Sequence, residues 1–179
     1  TGSISVTGGA NGTIVYGINI ASTGNVNCQN NIVGSINTSN NSTDASDIHG
    51  INKISAAGPT TISNNLIGST TTANSINAYS ASSGNIQKVT GINSSGLGDI
   101  TISNNIIANL TNGTTNTSGS VTGLNFNGTT STNAVYGNFI HSLSATGASN
   151  TASIQGIRIE AGVTTYYNNI ISLGAIQIP

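Results

Sequence analysis

Charge is nearly absent from this chain: of its 179 residues only Lys53, Lys88, Arg158, Asp44, Asp47, Asp99 and Glu160 are ionised at neutral pH. Nucleic-acid binding needs clustered Lys and Arg to neutralise phosphates, and three scattered cations exclude it. The same shortage excludes adsorption to an anionic membrane surface, and no apolar run is long enough for membrane insertion. Of the two histidines and one cysteine, none is placed to complete a zinc site with His141, so no metal is expected. The lone Cys28 forms no internal disulfide. It falls at an apolar repeat position, which predicts a buried thiol. With no methionine, residue 1 is not a translation start. The chain is expected to be a processed product or a piece of a longer one, with any export signal outside it. No Gly-rich loop joins a strand to a helix, so neither a nucleotide nor another cofactor is implied.

What is present is repetition. One phrase occurs at Asn30-Asn31-Ile32-Val33, Asn64-Asn65-Leu66-Ile67, Asn104-Asn105-Ile106-Ile107, Gly137-Asn138-Phe139-Ile140 and Asn168-Asn169-Ile170-Ile171. A second phrase keeps step with it at Val15 to Ile18, Ile48 to Ile51, Val89 to Ile92, Val121 to Leu124 and Ile154 to Ile157. Its glycines, Gly17, Gly50, Gly91, Gly123 and Gly156, are 33, 41, 32 and 33 residues apart, which leaves one insertion of about eight between Ile67 and Val89. A fixed period of this length marks a solenoid.

Alternation identifies the building block. The third residue before the second Asn is Cys28, Ile62, Ile102, Val135 or Tyr166, and the next is Gln29, Ser63, Ser103, Tyr136 or Tyr167. Period two is the signature of a strand, and the abundance of Thr, Ile, Val, Asn and Gly disfavours helix. Two or three short strands per copy cannot bury their own apolar face, so stacking must supply the core. The expected fold is all-β: one solenoid domain over 1–179, a single-stranded parallel β-helix of about five coils with about 33 residues per coil. Asn tolerates the left-handed backbone of a sharp corner, and its amide can bond its counterpart one coil away. Asn31, Asn65, Asn105, Asn138 and Asn169 are therefore expected to form a ladder spaced by roughly 4.8 Å.

These phrases resemble the right-handed parallel β-helix (PbH1-like) repeats of secreted bacterial proteins, in which "GIxI" and "xIxNNxI" segments alternate. The resemblance runs from about Thr13 to Leu173. The wording "YNNII" and "GNFIHSLSATG" is also similar to the Ser/Thr/Asn-rich β-helical surface proteins of Bacteroidetes-type bacteria. It implies the fold, and a location outside the cell or on its surface. Polar segments 37–47, 70–86, 111–120 and 144–153 are expected to stack along one edge, with Ile76 to Tyr79 adding a short strand or the segment looping freely.

Chemistry has little to build on. β-Helix enzymes that cleave acidic polysaccharides need clustered carboxylates. Here Asp44, Asp47 and His49 form the densest group. Asp47 and Lys88 each precede a repeat Gly by three residues, which reads as a cross-coil ion pair. Arg158 and Glu160 share an outward face. His141 has no second ligand beside it. Tyr136 and Tyr167 occupy one outward repeat position on adjacent coils, a strip suited to a sugar ring or another subunit. Thr61, Thr101 and Thr165 hint at a flat hydroxyl face of the ice-binding kind, interrupted by Asn27 and Ala134. Asn-x-Ser/Thr sequons at Asn11, Asn37, Asn40, Asn41, Asn93, Asn109, Asn112, Asn116 and Asn127 would carry glycans in a host that modifies them.

Neither end carries a capping signature, and both Ile4 to Val6 and Ala175 to Ile178 alternate like strands. If copies joined end to end, Gly156 would lie 40 residues from the next Gly17, 23 to the C-terminus plus 17, close to the internal step of 41. The leading expectation is thus a non-enzymatic extracellular structural protein whose partner is itself, stacked head to tail in a filament. A repeat segment of a larger secreted adhesin or carbohydrate-binding protein, with polysaccharide as partner, comes second. A polysaccharide lyase or hydrolase comes third.

Overall fold

A computed structural model describes residues 3–8, 12–40, 44–54, 58–81, 85–114, 119–129, 132–146 and 152–173. The chain winds through three parallel sheets. The first face stacks β2 (Thr13–Ile20), β6 (Ser46–Lys53), β10 (Lys88–Gly96), β13 (Ser120–Gly128) and β16 (Ser153–Ala161). The second stacks β3 (Val26–Gln29), β7 (Thr60–Ser63), β11 (Ile100–Ser103), β14 (Asn133–Tyr136) and β17 (Thr164–Tyr167). The third holds β1 (Ile4–Thr7), β4 (Ile32–Val33), β5 (Ile36–Asn40), β8 (Leu66–Gly68), β9 (Ile76–Ser80), β12 (Ile106–Asn112), β15 (Phe139–Ala145) and β18 (Ile170–Ser172). Every pairing is parallel and joins one copy of the repeat to the next. Val15 sits on Ile48, Ile48 on Val89, Val89 on Val121 and Val121 on Ile154, giving about four turns. The described residues contain no helix.

The core follows from the register. Ile51, Ile92 and Leu124 lie over one another, as do Ile62, Ile102 and Val135 and then Ile67, Ile107 and Ile140, and all nine are fully buried. Each such side chain contributes about 1.5–3 kcal/mol by leaving water. Cys28 continues the second of these stacks, buried as expected, and burial pushes its thiol pKa up. The repeat glycine is required by close approach. A Cβ on Gly91 would lie 2.4 Å from Ile107 Cγ2 and 2.5 Å from the Gly123 carbonyl oxygen, and Gly50 and Gly123 are equally confined.

The doubled Asn divides two tasks that the sequence assigned to one residue. The first of each pair turns the corner: Asn30, Asn64, Asn104 and Asn168 have φ between 54° and 58°, and Gly137 takes the same place at 65°. The second faces inward and forms the ladder. Ser35, Asn109 and Ser142 make another left-handed bend, each one residue before an inward Ile36, Leu110 or Leu143.

The insertion lies mainly on the third face. Val33 pairs with Ile67 and Ile36 with Ile76, so a step of three residues in one turn becomes nine in the next. Ile76 to Tyr79 belongs to β9, the strand reading of that segment. The expected strand at Ala175 to Ile178 and the sequons at Asn11, Asn41 and Asn116 lie outside the described residues.

Candidate functional site

The Asn ladder is the most ordered polar feature. Asn31, Asn65, Asn105 and Asn138 each donate both the backbone N–H and the side-chain Nδ2 to Oδ1 of the next Asn, at 2.9–3.1 Å. The second Nδ2 hydrogen of Asn65, Asn105, Asn138 and Asn169 reaches back to the carbonyls of Cys28, Ile62, Ile102 and Val135, at 2.9–3.0 Å. Asn65, Asn105 and Asn138 are buried, so these bonds satisfy groups that water cannot reach. Every Asn-to-Asn bond points toward the C-terminal turn, which gives the ladder a polarity.

A second ladder escaped the sequence reading. Asn52 Nδ2 donates to Asn19 Oδ1, Asn93 to Asn52 and Asn125 to Asn93, at 2.8–3.0 Å. It runs in the opposite sense on the first face. The signal was in the chain: Gly-Ile-Asn recurs at 17–19, 50–52 and 91–93, with Gly-Leu-Asn at 123–125. Arg158 takes the fifth position and breaks the series, leaving Asn125 Oδ1 buried without a partner. Arg158 instead pairs with Glu160 at 3.2 Å.

Lys53 is the largest fully buried side chain. Register places it in line with Ile20, Ser94 and Phe126, at an inward position. Its Nζ donates to the carbonyls of Ser95 and Leu97, both at 3.1 Å, and burial lowers its pKa. At the opposite end of the first face, Gln87 Nε2 donates to Ala78 O and Asn112 Oδ1, tying the corner between the third and first faces.

The acidic group is spread along neighbouring strands. Asp47 Oδ1 accepts the backbone N–H of Lys88 at 2.7 Å, and among the described residues the two side chains form no ion pair. Burial raises the Asp47 pKa, opposed by that hydrogen bond and by the Lys88 charge. Asp44 accepts from Asn85 Nδ2 at 2.8 Å. His49 stacks on Tyr16 with ring centres 5.6 Å apart, and burial, then the Lys88 charge, brings its pKa down to about 4. His49 is therefore neutral at pH 7. Among the described residues no three His, Cys, Asp or Glu side chains gather as metal ligands.

Tyr136 and Tyr167 lie in register on β14 and β17, with ring centres 4.8 Å apart and planes within 4°. Tyr167 is 45 % exposed. Beside them run Asn27, Thr61, Thr101, Ala134 and Thr165, a hydroxyl row interrupted where the sequence indicated. These features define a parallel β-solenoid with internal amide ladders. No family model, curated protein or solved structure matches the chain.

Proposed function

We propose that this chain is a non-enzymatic extracellular structural protein, a β-solenoid unit that stacks head to tail on copies of itself to form a filament, sheath or surface layer. The observation that carries this reading is the match between its two end turns. Ile32 and Ile170 occupy one repeat position and are 80 % and 62 % exposed, whereas at that position inside the stack Leu66 and Ile106 are half-buried and Phe139 is 38 % exposed. Ladder polarity supplies direction. Among the described residues, Asn31 Oδ1 accepts no hydrogen bond and the Asn169 backbone N–H donates none, so an acceptor end faces a donor end only when copies stack in the same sense. Two like ends would set acceptor against acceptor. A head-to-tail contact is heterologous and does not close, which favours a filament. Seven charged residues oppose such stacking little. The resemblance to right-handed PbH1-like repeats of bacterial surface proteins supports the extracellular setting.

Electron microscopy of the purified chain across a concentration series tests this. Filaments with an axial repeat of roughly 24 Å, five strand spacings, are expected, and Ile32→Lys or Ile170→Lys should abolish them without unfolding the subunit. A monomer that persists at high concentration would overturn the proposal. The stacked Tyr136–Tyr167 pair favours a second reading, a repeat segment of a larger secreted adhesin or carbohydrate-binding protein. Loss of polysaccharide affinity on replacing both tyrosines in a persistent monomer would select it.

A further inference from the structure

The inserted residues build a wall that the solenoid itself does not need. Two residues join β4 to β5, but seven, 69–75, join β8 to β9. In repeat architectures such insertions map to loops on one face, often the binding face. This one is fastened to the following turn: Asn109 Nδ2 donates to Ser69 O at 2.7 Å, and Thr111 Oγ1 to Asn74 Oδ1 at 2.6 Å. Thr71 and Thr72 backbone N–H groups bond Ser69 Oγ at 3.2 and 2.9 Å, which stiffens the segment internally.

Beyond the wall lies the outer surface of β15. Phe139 points outward because its neighbour Ile140 fills the core, and the residue is 38 % exposed. His141 lies against it with ring centres 4.5 Å apart, tilted by 31°. The cleft between wall and strand has a volume of about 480 Å³ and is also lined by Asn74, Asn109, Ser142 and Ser144. That volume is in the range of small-molecule sites. None of the chain's seven charged residues lines it.

This lining has a definite chemical complement. An exposed aromatic face takes up the C–H face of a ring. Amides and hydroxyls both donate and accept, as sugar hydroxyls do. A phosphate or uronate would meet no cation. We propose that this cleft binds a neutral saccharide, with one pyranose ring against Phe139 and His141 and its hydroxyls bonded to Asn74, Asn109, Ser142 and Ser144. The site is on the third face, away from the Tyr136–Tyr167 strip on the second, and does not depend on self-assembly.

The test is titration of the whole chain, by calorimetry and by amide chemical shifts, with cellotetraose, mannotetraose, chitotetraose and tetragalacturonate. At least one neutral tetrasaccharide should bind below about 10 mM, with shifts centred on residues 73–74, 109 and 139–144. Phe139→Leu keeps an apolar side chain of the kind Leu66 supplies at the same repeat position, and should weaken binding about tenfold by removing the ring. Asn74→Gly suits the native φ of 54° while deleting the amide, and should weaken it several-fold. Replacing Tyr136 and Tyr167 should change nothing. The proposal is overturned if no neutral sugar titrates, if tetragalacturonate binds more tightly than all of them, if Phe139→Leu binds as wild type, or if the tyrosine variants abolish binding.

Discussion

Polarity in the ladder predicts that one substitution will cost very different amounts at different positions. Asn105 Oδ1 accepts from Asn65 N at 3.0 Å and from Asn65 Nδ2 at 2.9 Å, and both residues are buried. Asn105→Ala strands those two donors away from water, at about 1–3 kcal/mol each, or roughly 2–6 kcal/mol before any cavity cost. Asn31 is different. Its side chain donates forward to Asn65 Oδ1, but that oxygen keeps the Asn31 backbone N–H at 2.9 Å, and Asn31 itself is half-buried at the first turn. Asn31→Ala strands no buried donor and should cost about 0.5–1 kcal/mol. Asn138→Ala repeats the central case, since its Oδ1 accepts from Asn105 N and Nδ2. Urea denaturation followed by far-ultraviolet circular dichroism, extrapolated linearly to water, reads the difference. Equal losses for Asn31→Ala and Asn105→Ala, or a loss below about 1 kcal/mol for Asn105→Ala, would refute the assignment of directed, buried donors.

Three further outcomes are expected. Gly91→Ala should destabilise by about 1–3 kcal/mol or more, because its Cβ would meet a backbone oxygen of the next turn that cannot move aside; a neutral result in the same denaturation assay would contradict the packing. His49 is brought down to about 4 from its ordinary 6.5, so between those values the unfolded chain binds a proton that the folded chain does not. Stability should fall by up to about 3 kcal/mol as pH drops from 6.5 towards 4, opposed at the acid end by Asp47, whose raised pKa acts in the other sense. His49→Gln should flatten that part of the pH profile. Arg158→Asn extends the second ladder to Asn125 Oδ1 and should add about 1 kcal/mol, less the small contribution of the exposed pair with Glu160; a loss of stability would argue against the ladder.

Periodicity made the framework readable because a solenoid places equivalent residues over one another, so one alignment exposes every face. Inward Ile62, partly exposed Thr61 and ladder Asn65 follow from phase alone, whereas Ser63, at the phase of Thr61, is buried. Two kinds of feature did not. Phase marks a position as inward but not how an ill-suited residue is accommodated there: Lys53 stands where other copies have Ile20 or Phe126, and its ammonium donates to the carbonyls of Ser95 and Leu97, which phase does not foretell. Nor does phase separate neighbouring residues of one type, so turning and laddering fell to the same Asn until the backbone angles parted Asn104 from Asn105.

The departures from period are the informative remainder. A repeat explains itself by stacking, and a residue that keeps the rhythm needs no further role. The tyrosine pair, Arg158 in the Asn series and the inserted 69–75 segment all interrupt a pattern that the fold would otherwise continue. Two of the three interruptions lie at or near the last described turn, where a neighbouring copy would meet them. The third is internal, and it stands over a cleft lined by Phe139 and His141, two amides and three serines, with none of the seven charged residues among its lining. The proposed saccharide cleft and the tyrosine strip therefore lie on different faces, whereas the cleft shares the third face with the proposed end contact at Ile170, which is in register with Phe139.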